Sequence, residues 1–322
     1  VIHGDYSRWV NGETLHSVTN YALHKALYSG HNDHNYFEIA HTVKYLQNMG
    51  NLDLYNFVDN HDVERIYTKL SNKAHFTPVH ILLYTLPGVP SIYYGSEFGI
   101  EGRKERSSDD SLRPALSLDD YETALGDNPC TALIAALGQI RQHTPALSYG
   151  SYAELHLTNR QFAFARDLND VRVVVTVNND DNAASMDLPA GNAVEYIAAL
   201  SGQKVAVQDG RINVTVPANS GEIWVPAGDM PEYKPFKVEI SVKEETVTDE
   251  ESIPADSEAP SSATEPVHFD PNKSPEDMSV AELQAAILAK MANNGPVSDQ
   301  MKKTVNENIW HDSLVNWLKS FR

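Results

Sequence analysis

The chain has 322 residues, 41% of them hydrophobic, which is enough for two or three domains with cores of their own. Its 25 Lys and Arg face 44 Asp and Glu, a formal net charge of -19 that argues against nucleic acid and anionic membrane as partners. A single cysteine, Cys130, excludes an internal disulfide or a thiolate metal cluster and tips the setting slightly toward cytoplasmic over secreted. No apolar run reaches the roughly 18 residues of a membrane span, and no signal peptide is visible.

Residues 1–148 alternate strand-like and helix-like segments. LHSVTNY at 15–21 reads as a short strand with a polar end. A helix is expected over 35–47, with Tyr36, Ile39, Ala40, Val43 and Leu46 on one face. Residues 54–58 form a strand followed by polar Asp59, Asn60, His61 and Asp62. An apolar helix over 74–86 is stopped by Pro87 and Gly88, and an apolar strand over 89–94 ends at Gly95. A further helix covers 131–143. Repeated strand-then-helix units predict a parallel sheet with helices outside it.

Residues 149–227 change period. SYAELHL, QFAFA, VRVVVTV, AVEYIAAL, KVAV, INVTV and GEIWV alternate in the manner of strands, and Asn178-Asn179-Asp180-Asp181 and Asp209-Gly210 punctuate them. This spacing predicts an antiparallel β-sandwich. Residues 228–276 hold 13 acidic residues against four lysines and read as a Pro/Ser-rich linker. Val238, Ile240 and Val242 could add one strand at its start. Residues 277–322 read as a helical tail. Ser279 and Glu282 form a capping box, and Val280, Leu283, Ile287 and Met291 share a face. Further apolar stripes run through Met301, Val305 and Ile309, then Leu314, Trp317, Leu318 and Phe321. These helices offer a small core, or a face for docking or oligomerisation.

YNFVDNHDVERI, at 55–66, is the most informative segment. A buried strand delivers Asn60, His61 and Asp62 to its C-terminal end, where parallel α/β barrels build active sites. A fixed carboxylate beside an imidazole suits a hydroxyl-rich ligand and a transition state with positive charge, as in glycoside cleavage. Alternatively, Asp62 caps the next helix and His61 packs locally. In LPGVPSIYYGSEFGIEG, at 86–102, Glu97 could bind substrate or a cation, or hold a neighbouring loop.

Taken together, NFVDNHDVERI and TLPGVPSIYYGSEFGIEG resemble two signature blocks of glycoside hydrolase family 13, the alpha-amylase family. The first resembles its seventh-strand block and the second its eighth-strand block, and the resemblance covers residues 1–227. It implies the C-terminal half of a (β/α)8 TIM barrel, an α/β architecture, followed by the antiparallel β-sandwich and the helical tail. It assigns Asp62 to the acid that stabilises the transition state and His61 to the histidine that binds the same sugar. Arg65 matches an arginine that often comes after the triplet, in a supporting ion-pair role near the substrate.

VIHGDYSRWVN resembles the stretch just after the family's general-acid glutamate, which would immediately precede Val1. The aspartate nucleophile would lie further upstream. His3 would then lie near the leaving-group subsites. Tyr6 and Trp9 could offer ring faces to glucose or pack against the barrel. Asn20 and Tyr21, at the outlet of the presumed sixth strand, have a weaker claim on substrate. The resemblance implies a retaining glycosidase that cleaves alpha-1,4-glucosidic bonds in starch or maltodextrin, with no organic cofactor and no metal ligands in this stretch. A barrel takes eight strands and roughly 250 residues, so the chain is expected to be an inactive fragment. A transglycosylase of the same family, or a non-catalytic amylase-like binding or scaffold protein, would share these features.

His31, Asp33 and His34 in GHNDHNYFEIAHT match no closed zinc spacing. A solvated loop leading into a helix is expected there.

Overall fold

The computed structural model describes residues 5–11, 13–50, 52–106, 108–229, 273–274, 278–293 and 318. The chain divides into two units, Val1–Ile240 and Ser241–Arg322.

In the first unit, the expected strand at 15–21 is reduced to single bridges, Val10 with Leu15 and Thr19 with Tyr55. A helix replaces its end. Asn20 accepts the Leu23 N–H at 3.1 Å and so caps α1 (Tyr21–Asn32). The sequence does not predict this helix, because its buried stripe is built from Ala22, Ala26, Gly30 and two histidines, His24 and His31, beside Leu23 and Leu27. Helix α2 (Tyr36–Gln47) appears as expected. Tyr36, Ile39, Ala40 and Val43 are buried, and Leu46 is half-buried against the same core.

Strands β1 (Tyr55–Phe57) and β2 (Val89–Ser91) pair in parallel, with Tyr55 opposite Val89 and Phe57 opposite Ser91. Between them lie α3 (Ile66–Lys69), a short turn at Lys73–His75 and α4 (Phe76–Thr85). Gly88 permits the sharp entry into β2. Its φ is +113°, and a Cβ there would meet the Asn56 side chain at 2.6 Å and the Leu54 carbonyl at 2.7 Å. Beyond β2 come α5 (Ala124–Asp127), α6 (Pro129–His143) and α7 (Pro145–Tyr149). Pro129 occupies the first turn of α6, whose Cys130 N–H bonds the Asn128 side chain at 2.9 Å.

Residues 151–226 form eight strands: β3 (Ser151–Leu157), β4 (Gln161–Leu168), β5 (Val171–Asn178), β6 (Ala184–Pro189), β7 (Glu195–Ala198), β8 (Lys204–Ala206), β9 (Arg211–Val216) and β10 (Ser220–Pro226). Six make one antiparallel sheet in the order β3-β4-β5-β10-β7-β8, and β6 pairs with β9 in a separate ribbon. Of these strands, β6 is not expected from the sequence. Only Met186 and Leu188 of its six residues are buried, a pattern too short to register.

The period of two explains how the large sheet works. Phe162, Phe164, Val173, Val175, Val177, Ile223 and Val225 face the helical core of residues 5–149. Ala163, Val174 and Trp224 face Met186, Leu188, Ile212, Val214 and Val216 of the ribbon. A sheet covered on both faces reads as continuous apolar runs, which is why VRVVVTV lacks polar alternation.

In the second unit, α8 (Val280–Asn293) begins with the expected reciprocal cap. The Ser279 N–H donates to Glu282 Oε2 at 2.7 Å, and the Glu282 N–H donates to Ser279 Oγ at 3.3 Å. Leu283, Ala286 and Ile287 are buried. The expected strand at Val238, Ile240 and Val242 lies outside the described residues, as do the later helical stripes apart from Leu318.

Candidate active site

The outlets of β1 and β2 are tied together by a buried polar lock. Asp59, just past β1, is 2% exposed. Its Oδ2 accepts the Ile66 N–H at 2.8 Å, and its Oδ1 accepts the Ser96 hydroxyl at 2.7 Å. Asp59, not Asp62, therefore serves the first free N–H of α3. Burial raises the Asp59 carboxyl above its ordinary value, while the Ile66 and Ser96 hydrogen bonds and the charge of Arg65 oppose that shift.

Arg65 completes the lock from above. It is fully buried, and its Nη1 donates to the Tyr94 carbonyl at 2.7 Å and its Nη2 to the Leu112 carbonyl at 2.7 Å. Its guanidinium lies 4.3 Å from the Tyr93 ring centroid. Arg65 thus holds the β2 outlet and the 103–113 loop against the segment that carries Asp62. The planar fork spends its donors on these two carbonyls and on the Ser96 hydroxyl, 3.3 Å from Nη1.

This frame leaves residues 60–64 as a loop whose polar groups face outward. Asn60 Oδ1 accepts the Asp62 N–H at 2.8 Å, and Asn60 Nδ2 reaches the Tyr21 hydroxyl at 3.5 Å. His61 Nε2 lies 3.4 Å from Asp62 Oδ2, and the two side chains are 59% and 51% exposed. The structure thus brings together the carboxylate and imidazole that the sequence singled out, and presents both to solvent.

Sequence reasoning missed the cationic partner. Arg113 Nη2 is 3.5 Å from Asp62 Oδ1 and 3.0 Å from Asp109 Oδ2, while its Nε donates to the His61 carbonyl at 3.2 Å. Asp109 is also paired with Lys104 at 2.6 Å, and that hydrogen bond holds its carboxyl below the ordinary value. The i, i+4 spacing of Asp109 and Arg113 signals only their own pairing, and not the contact with Asp62. The result is a carboxylate flanked by an imidazole and a guanidinium on an open face.

The other predicted residues are distributed around this pair. Asn20 is buried; besides capping α1 it donates to Asn56 Oδ1 at 2.8 Å. Tyr21 stands edge-on to Phe57, with ring centroids 5.0 Å apart. Tyr6 is half-buried, and its hydroxyl accepts the Ala22 N–H at 3.3 Å. Trp9 is 61% exposed. His3 lies outside the described residues. Glu97 is half-buried; its Oε2 is enclosed with no hydrogen-bond partner among the described residues, while its main-chain carbonyl accepts the Thr131 hydroxyl at 2.8 Å.

The GHNDHNYFEIAHT segment corrects an expectation. His31 does not sit in a solvated loop: it belongs to α1 and is fully buried, with Nδ1 2.6 Å from the Leu27 carbonyl and Nε2 3.2 Å from the Tyr36 hydroxyl. Helix α1 carries it into the core, where burial lowers it from 6.5 to about 3. Among the described residues, no group of three or more His, Cys, Asp or Glu side chains is placed to hold a metal ion. No helix there is long and apolar enough to cross a membrane.

Part of the chain is similar to known proteins. Residues 3–149 match the alpha amylase catalytic domain. A cyclomaltodextrin glucanotransferase of Niallia circulans is 27% identical over 180 residues, covering 53% of this chain and 24% of that enzyme. Neopullulanase 2 of Thermoactinomyces vulgaris is 25% identical over 230 residues, covering 68% of this chain and 38% of its own length. The crystal structure of an Anoxybacillus alpha-amylase superposes with a TM-score of 0.60 at 19% identity, over 70% of this chain and 50% of that one. The chain thus spans well under half the length of these two curated relatives. Residues 3–149 are thus similar to the catalytic domain of the alpha-amylase family.

Proposed function

We propose that residues 5–149 supply the outlets of the last barrel strands to the active site of a retaining alpha-glucan hydrolase. The observation that carries this reading is the exposed Asp62–His61 pair held above the buried Asp59–Ser96–Arg65 lock. A carboxylate that must face an oxocarbenium-like sugar has to be fixed yet accessible, and this loop is anchored from below and open above.

In this reading an aspartate from preceding chain attacks the anomeric carbon and forms the glycosyl-enzyme bond. A glutamate, also from preceding chain, protonates the leaving oxygen and then takes a proton from water, whose oxygen attacks the anomeric carbon and releases the aspartate. Asp62 stabilises the charge that builds on the ring. His61 hydrogen-bonds the same sugar, and Arg65 keeps the loop in place without touching it. Trp9 and Tyr6 flank the leaving-group side.

Two experiments test this. The purified chain should give no new reducing ends from soluble starch, and sustained turnover would contradict the assignment. In a protein that carries the preceding strands, Asp62→Asn should lower kcat by about 10²–10³-fold with the fold intact. The similarity to cyclomaltodextrin glucanotransferases favours transglycosylation as a second reading. Product chain lengths from that longer protein separate it from hydrolysis.

A further inference from the structure

On the opposite side of the strands from Asp62, at their inlets, lies a cavity of about 410 Å³. Its walls come from the end of α2, from the inlets of β1 and β2 and from the start of the antiparallel sheet; Gln47, Asp53, Pro87, Ser151, Tyr152 and Arg166 are among its lining residues. Its volume lies in the range that holds a small organic molecule.

The charge in and behind this cavity is unusual for a chain of net charge -19. Arg166 is 2% exposed. Its Nη1 donates to the Thr85 carbonyl at 2.6 Å, and its Nη2 and Nε donate to the Gly150 carbonyl at 2.9 and 3.2 Å. These bonds use three of the five N–H groups a guanidinium carries. Arg141 stands close enough to repel it, and is itself held by the carbonyls of Tyr84 at 2.6 Å, Leu147 at 3.0 Å and Gly88 at 2.8 Å. Among the described residues, neither arginine has a carboxylate in an ion pair. The acidic group on the cavity wall, Asp53, is exposed at the rim. Carbonyl dipoles soften the cost of burying the Arg166 cation, but a full negative charge would offset it better.

We propose that this cavity binds a small organic anion, of the size and kind of a sugar phosphate, with its oxyanion against Arg166 and its uncharged part along the α2 wall. The site lies away from Asp62 and does not rest on the assignment of that residue. Arg166 supplies its unspent N–H groups to the oxyanion, and Ser151 and Gln47 offer hydrogen bonds to hydroxyls. Asp53 stands at the rim and disfavours the ligand.

The test is calorimetric titration of the full chain, at constant ionic strength, with glucose 6-phosphate, inorganic phosphate and glucose. Glucose 6-phosphate should bind saturably at one site and glucose should not. Weaker binding of inorganic phosphate would place the organic part in the cavity, and equal binding would assign the site to the free anion. Asp53→Asn, on the surface, should tighten anion binding about threefold. Arg166→Lys, with its fold checked by circular dichroism, should weaken it by about tenfold, since an ammonium cannot reproduce the fork. No saturable binding of either anion, equal binding of glucose, or affinity unchanged by Asp53→Asn would overturn the proposal.

Discussion

The strand-outlet region and the antiparallel sheet bury different polar groups, the sheet enclosing Arg166, Thr176, Asn178, Asn179 and Glu222. In the sheet, Phe162, Phe164, Val174, Val175 and Trp224 are buried against two apolar cores. In the region of β1 and β2, the interior keeps Asn20, His24, His31, Asn56, Asp59, Arg65, His80 and Ser96 out of water. Apolar packing tolerates many arrangements of roughly the right volume, whereas a buried polar group is stable only with its particular partners. The region that presents Asp62 holds the buried histidines and is therefore the more sensitive to acid.

Acid should separate the two regions most strongly. Burial lowers His24, His31 and His80 from 6.5 to about 4, about 3 and about 4, so all three are neutral in the fold. In the unfolded chain they take up protons near pH 6.5. Their contribution to stability is complete above that pH and is lost as pH falls from 6.5 toward 4, at up to about 1.4 kcal/mol per pH unit for each. Asp59, raised by burial, works in the opposite sense, because its penalty relaxes as it protonates. Urea unfolding at pH 7, 6 and 5 should show a loss of several kcal/mol; a flat profile would remove the distinction between the regions.

Substitutions sharpen it further. Trp224→Ala should cost about 3–5 kcal/mol through the cavity it leaves in the sheet core. The indole also donates to Thr176 Oγ1 at 3.0 Å, so that hydroxyl loses its partner. Arg65→Ala should cost about 3 kcal/mol by a different route, since it strands the Tyr94 and Leu112 carbonyls. A double variant should show additive losses, because the two side chains belong to separate cores. Asp62→Asn should change unfolding by no more than about 0.5 kcal/mol, since the side chain is half exposed and caps no helix. A large loss would mean that Asp62 holds the fold together and is not free to meet a substrate.

The candidate site was partly legible. Asp62 and His61 could be read because a strand followed by Asn-His-Asp is a local pattern, and the fold keeps them adjacent. Asp59 was passed over although it lies in the same segment, because its partners, Ser96 and Ile66, are fixed only when β2 pairs with β1 and α3 turns back. Arg113 came from a stretch with no regular period, and only the return of the 103–113 loop sets it beside Asp62.

The sequence by itself determined the period-two strands between Ser151 and Pro226 other than β6, helices α2, α4 and α6, the cap of α8 and the loop that bears Asp62. Each of these depends on residues within a few positions of one another. Tertiary structure alone decided that α1 replaces a strand end, that His31 is buried, that Arg65 turns inward and that Arg113 reaches Asp62. Those outcomes depend on which distant carbonyls, carboxylates and apolar faces close over each side chain, and no local period encodes that.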